Sequence, residues 1–132
     1  MEGDQKKKVL VIDDEEMHLA ATELYLKDDY EVFKAKSGDE AFQYITSGGL
    51  LPSVILLDIM MPNMDGWKVF NKIRGIEKLR NVPIVFLTSV EADLNQEKAL
   101  QIGIADYIVK PYNITELKNR IKDIIAKYES KV

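Results

Sequence analysis

Four apolar runs in this chain end on polar residues that could act together. Val9-Leu-Val-Ile12 runs into Asp13 and Asp14, and Val54-Ile-Leu-Leu57 runs into Asp58. Pro83-Ile-Val-Phe-Leu87 ends in Thr88 and Ser89, and Tyr107-Ile-Val109 ends in Lys110. If these ends converge, three carboxylates, a hydroxyl and one ammonium share a cleft. One lysine does not neutralise three like charges, so such a cluster asks for a divalent cation. Oxygen ligands without cysteine or several histidines favour magnesium, manganese or calcium over zinc, and few protein ligands with room for water favour magnesium. A magnesium ion beside a lysine and a hydroxyl suits phosphoryl transfer, where positive charge steadies the equatorial oxygens. The candidate nucleophile is a carboxylate, which would form an acyl phosphate. Asp58 is the choice because it closes a central strand, while Asp13 and Asp14 form a paired metal site.

The elements that must position these groups follow from periodicity. The runs at 9–12, 54–57 and 83–87 are continuous and rich in β-branched residues, as expected of strands buried on both faces of a parallel sheet. Tyr30–Lys34 alternates like a half-exposed strand, and Tyr107–Val109 is a short one. Helices are predicted from about Glu16 to Lys27, with an apolar side of Leu19, Ala20, Glu23, Leu24 and Lys27, and from a Ser37/Glu40 capping box to about Thr46. Gly48-Gly49 stops the second helix. A loop holding Pro62 and Gly66 leads to a third helix from about Trp67 to Arg74, and a fourth runs to Ile102 and is closed by Gly103. Asn113 with Glu116 caps the last helix, in which Ile114, Leu117, Ile121, Ile124 and Ile125 recur at helical spacing. A β-α unit repeated five times predicts a five-stranded parallel sheet, doubly wound and flavodoxin-like, with helices on both faces. Ligands in such sheets bind outside the carboxyl ends of the strands.

The chain has 132 residues, with 18 basic and 22 acidic side chains and a net charge of −4. That is one domain's worth, read as a polar arm at 1–7, a domain at 8–128 and a tail at 129–132. The acidic balance argues against direct nucleic-acid binding. With no cysteine, disulfides, thiolate metal sites and cysteine nucleophiles are excluded. No apolar run approaches the ~20 residues of a bilayer crossing, and no signal-peptide pattern opens the chain, so a cytoplasmic location without membrane contact is expected. Lys6–Lys8 reads as a solvated flank and His18 as a surface or helix-face residue. Trp67 and the methionines Met60, Met61 and Met64 read as packing.

The set of motifs resembles the response-regulator receiver domain of bacterial two-component signalling, the family that includes the chemotaxis regulator. The matching pieces are Val-Leu-Val-Ile-Asp-Asp at 9–14, Leu-Leu-Asp-Ile-Met-Met-Pro-Asn-Met-Asp-Gly at 56–66, Leu-Thr-Ser at 87–89 and Tyr-Ile-Val-Lys-Pro at 107–111. The resemblance implies that Asp58 accepts a phosphoryl group from a sensor histidine kinase or a histidine phosphotransfer protein. It makes Asp14 a direct Mg2+ ligand, with Asp13 acting through water and the Met60 main-chain carbonyl adding an oxygen. Lys110 would pair with the phosphoryl oxygens, Thr88 would hydrogen-bond them, and Tyr107 would turn inward as Thr88 moves. Pro111 would follow a cis peptide bond, and Gly66 would supply a permissive backbone. The readout face would be the fourth helix, fifth strand and fifth helix, roughly 93–128. It would act on a downstream protein or on an effector domain elsewhere, with phosphorylation-dependent dimerisation left open. The resemblance also marks Met60 and Val90 as positions that tune phosphoryl lifetime. Neither apolar side chain orients an attacking water, so slow self-dephosphorylation is expected, from a switch and not a turnover enzyme.

Competing readings are weaker. A haloacid-dehalogenase-like phosphatase needs a second acid two residues after the nucleophile, where Met60 stands. An FMN binder needs a hydroxyl- and glycine-rich loop where Asp13-Asp-Glu-Glu16 would repel phosphate, and no Gly-x-x-x-x-Gly-Lys loop is present. A receiver-like module that is never phosphorylated is disfavoured by the intact acid pair, acceptor, hydroxyl and lysine.

Overall fold

A computed structural model describes residues 6–61, 64–89, 103–110 and 112–129, without the side chains of 60, 61, 64, 65 and 89. Its main sheet comprises β1 (Lys7–Ile12), β2 (Tyr30–Ala35), β3 (Val54–Asp58), β4 (Ile84–Ser89) and β5 (Asp106–Lys110). All neighbours are parallel, in the order β2-β1-β3-β4-β5. Helices α1 (Glu16–Leu26), α2 (Gly38–Thr46), α3 (Gly66–Arg74) and a C-terminal helix (Ile114–Glu129) cover both faces. The expected fourth helix, Val90, Pro62 and Pro111 lie outside the described residues.

The apolar runs supply two cores because successive strand residues point to opposite faces. Leu10, Ile12, Ile55, Leu57, Ile84 and Phe86 face α2 and α3, with Ala41, Ile45, Val69, Phe70 and Ile73 packed on them. Val9, Val11, Val54, Leu56, Val85, Leu87 and Ile108 face α1 and the C-terminal helix, meeting Leu19, Leu26, Leu117, Ile121, Ile124 and Ile125. Phe86 is fully buried, with the rings of Trp67 and Phe70 edge-on at 5.2 and 5.6 Å. Trp67 is thus a packing residue, as the sequence suggests.

Local signals fix the ends. Ser37 Oγ accepts from the Glu40 N–H at 3.2 Å, and Glu40 Oε1 accepts from the N–H of Lys36 at 2.8 Å. The Asn113 side-chain oxygen accepts from the N–H groups of Thr115 and Glu116 at 2.8 and 3.2 Å, capping the C-terminal helix. Arg120 grips Asp106 with two hydrogen bonds, at 2.9 and 2.8 Å, tying this helix to the start of β5.

Some expectations are corrected. The buried stripe of α1 is Leu19, Thr22 and Leu26, while Leu24 is 60% exposed. At 100° per residue Leu24 lies about 140° around the helix from Leu19, whereas Leu26 returns to the same side. Ile114 is also exposed, at the first turn of its helix. The loop after Asp58 contains a small antiparallel pair, Met60–Met61 against Met64–Asp65. Gly66 opens α3 without a positive φ; what requires glycine is proximity, because a Cβ there would lie 2.5 Å from the Ile59 Cα. Lys7 belongs to β1 and pairs with Glu129 at 2.8 Å, and Lys6 Nζ donates to the Lys27 carbonyl at 2.8 Å.

Candidate functional site

The parallel register brings the strand ends level. Ile12 pairs with Leu57, Asp58 with Leu87, and Ser89 with Lys110, so Asp13, Asp58, Thr88 and Lys110 reach the same edge of the sheet. Asp13 and Asp58 carry the alternation of Val11 and Leu56 and Lys110 that of Ile108, so all three belong to the α1 side. The structure unites them. Lys110 Nζ donates to Asp58 Oδ2 at 2.8 Å and lies 3.6 Å from Asp13 Oδ2.

Both carboxylates are deep, with side chains only 3% (Asp13) and 7% (Asp58) exposed. Burial, opposed by the Glu15 N–H and reinforced by the Asp58 charge, pushes the Asp13 carboxyl above its usual range. Burial also works against the Lys110 ammonium, but its hydrogen bond to Asp58 and the charges of Asp58 and Asp13 outweigh that and raise its pKa. The Glu15 N–H donates to Asp13 Oδ1 at 3.0 Å, which leaves Oδ2 facing the cleft.

Asp14 follows in the chain and is half-buried, yet it is not among the described side chains whose ligand atoms close within 4.8 Å. That group is Asp13, Asp58 and His18. His18 is exposed on the face of α1, in line with its reading as a surface or helix-face residue, and its Nδ1 also borders the cleft, 3.3 Å from Asp13 Oδ2 and 3.4 Å from Lys110 Nζ. The missed signal is its place on the first turn of α1, immediately above the end of β1. Thr88 is buried and shares the alternation of Ile84 and Phe86, on the α3 side. Tyr107 is half-buried, pairs in register with Phe86 and packs on that same core, so Thr88 and Tyr107 occupy one face of neighbouring strands. The Met60 backbone begins the small hairpin two residues after Asp58.

Buried carboxylates from separate strands, short of compensating positive charge, fit a hard divalent cation, and the donor set of Asp13 and Asp58 is of that kind. A model of the response regulator receiver domain matches residues 9–122. The chain belongs to that family. This receiver domain is 38% identical over 124 residues to the "Probable transcriptional regulator ycf27" of Porphyra purpurea, covering 93% of this chain and 49% of that protein. It is 32% identical over 121 residues to histidine kinase P4 of Formosa agariphila, covering 92% of this chain and 9% of the kinase. Among solved structures, the receiver domain of sensor histidine kinase PA1611 from Pseudomonas aeruginosa PAO1 superposes with a TM-score of 0.76 at 28% identity, covering 92% of this chain and 98% of that one. That structure has a magnesium ion coordinated in its active site cleft. The receiver domain spans about half the length of the ycf27 relatives it matches. It is a signalling module of two-component systems, and its acidic pocket suits a phosphoaccepting site. Among the described residues no helix is long and apolar enough to cross a membrane.

Proposed function

We propose that the receiver domain is a switch thrown by phosphorylation of Asp58. A carboxylate oxygen of Asp58 attacks the phosphorus of a phosphohistidine on a sensor kinase or phosphotransfer protein. A P–O bond forms, the P–N bond breaks, and the leaving imidazole takes its proton from solvent. Asp13, Asp14, Asp58 and the Met60 main-chain carbonyl would hold Mg2+, which when bound supplies charge that steadies the transferring phosphoryl group. Lys110 neutralises a phosphoryl oxygen and holds Asp58 in place beforehand. The Thr88 hydroxyl then donates to the phosphoryl group, and Tyr107 follows it inward on the shared face. The changed surface spans roughly residues 93–128 and acts on a downstream protein or on an effector domain in a longer chain.

The observation that carries this reading is the Lys110–Asp58 contact beside Asp13, at the carboxyl ends of three parallel strands. Incubation with acetyl phosphate and magnesium, followed by intact mass, should show one added phosphoryl group. Asp58→Asn should remove it, and labelling that persists in that variant would place the acceptor elsewhere.

A further inference from the structure

We propose that His18 is a metal ligand of this site and turns its selectivity from magnesium toward divalent transition ions that bind imidazole. The inference rests on the receiver reading for where the metal lies, and goes beyond it by adding a nitrogen to an all-oxygen set. Three observations carry it. First, one ligand atom each from Asp13, His18 and Asp58 lie within 4.8 Å of one another. Ligands about 2.0–2.1 Å from one ion are about 3 Å apart when adjacent and about 4 Å when opposite. His18 Nδ1 and Asp13 Oδ2, 3.3 Å apart, stand at the spacing of adjacent ligands, and Asp58 needs only a small adjustment to join them. Second, it is Nδ1 that turns to the cleft, 3.3 Å from Asp13 Oδ2 and 3.4 Å from Lys110 Nζ, so that a bound ion takes the ammonium's place beside Nδ1, while the Glu15 N–H holds the other Asp13 oxygen away. That backbone hydrogen bond is the kind of outer contact that orients a ligating carboxylate. Third, the His18 side chain is 45% exposed, so solvent or a phosphoryl oxygen can complete the coordination.

The chemical consequence follows from ligand preference. Magnesium favours oxygen and keeps its waters, so a neighbouring imidazole gains it little. Nickel, copper and zinc bind imidazole well, and a mixed nitrogen and carboxylate set favours them further.

The test uses the untagged full chain. Calorimetric titration with Ni2+ and with Mg2+ should give a nickel-to-magnesium affinity ratio that falls at least about tenfold in His18→Gln, the scale on which metal sites lose affinity when their ligand sphere is altered. Because His18 is the chain's one histidine, pulsed EPR of the Cu2+-loaded protein should show imidazole nitrogen modulation from this residue alone. An unchanged ratio in His18→Gln, or copper spectra without imidazole nitrogen, would overturn the proposal. If the wild type fails to take up phosphoryl from acetyl phosphate while nickel binding still needs His18, the receiver chemistry fails and this inference stands. If phosphoryl uptake is normal while nickel binding is indifferent to His18, the receiver chemistry stands and this inference fails.

Discussion

Replacing Lys110 with methionine removes the ammonium that faces two buried carboxylates. Its Nζ is 2.8 Å from Asp58 and 3.6 Å from Asp13, whose side chains are 7% and 3% exposed, while Lys110 itself is 22% exposed. Breaking a buried pair from one side costs about 3–5 kcal/mol, because the surviving charge is left uncompensated. Here two charges survive, with oxygens inside 4.8 Å of each other. At an effective dielectric of about 20 that spacing corresponds to a repulsion of roughly 3 kcal/mol. The partial exposure of the lysine places the expected loss at the lower end, about 3 kcal/mol. For a domain of this size that is roughly a 12 °C fall in melting temperature. Urea and thermal unfolding at neutral pH, in a chelator, measure it. Adding Asp58→Asn should recover part of the loss, with a coupling of at least about 1.5 kcal/mol in the double-mutant cycle. A loss below about 1 kcal/mol, or strictly additive substitutions, would refute the view that Lys110 is the counter-charge of this cleft.

Three further outcomes are expected. Magnesium should raise the melting temperature and a chelator should reverse the rise, since ligand bound to the folded form at about 100 times its Kd adds about 2.7 kcal/mol; no shift in calorimetry would argue against the metal site. Because burial raises the Asp13 carboxyl, the metal-free folded protein keeps a proton that the unfolded chain has already released, so this group's contribution falls as pH rises from the ordinary carboxylate range through the folded-state value. Asp13→Asn, read by melting in chelator, should therefore gain on the wild type from acid toward neutral pH, and a constant difference would refute it. Phosphorylated protein in excess magnesium should lose its phosphoryl group slowly, because the positions that the family resemblance marks as tuning phosphoryl lifetime carry apolar Met60 and Val90; a half-life of a few seconds by intact mass would contradict this.

The sheet was legible because its signals are strong and local. Three continuous apolar runs rich in β-branched residues signal strands covered on both faces, and Val9–Ile12 of β1, all of β3 and Ile84–Thr88 of β4 are buried, whereas the alternating Tyr30–Ala35 lies on an edge. Asp13, Asp58 and Lys110 came with it, since a parallel register leaves strand ends nowhere else to go. What sequence missed depends on angles between elements. His18 reaches the cleft because of how α1 is rotated over β1, and no periodicity encodes that rotation. Leu24 misled because adjacent apolar residues hide which of them starts the stripe. The pair at Met60–Met61 and Met64–Asp65 is too short to show an alternation, and Gly66 is dictated by the neighbouring Ile59 backbone, not by its own turn.

The lone tryptophan has a consequence for measurement. Trp67 stands on the first turn of the helix that follows the loop after Asp58, its ring edge-on to Phe86, two residues before Thr88 on the same strand. An indole so placed is a native optical reporter. Its emission arises from one location, so stopped-flow fluorescence can follow rearrangement of this corner without a dye.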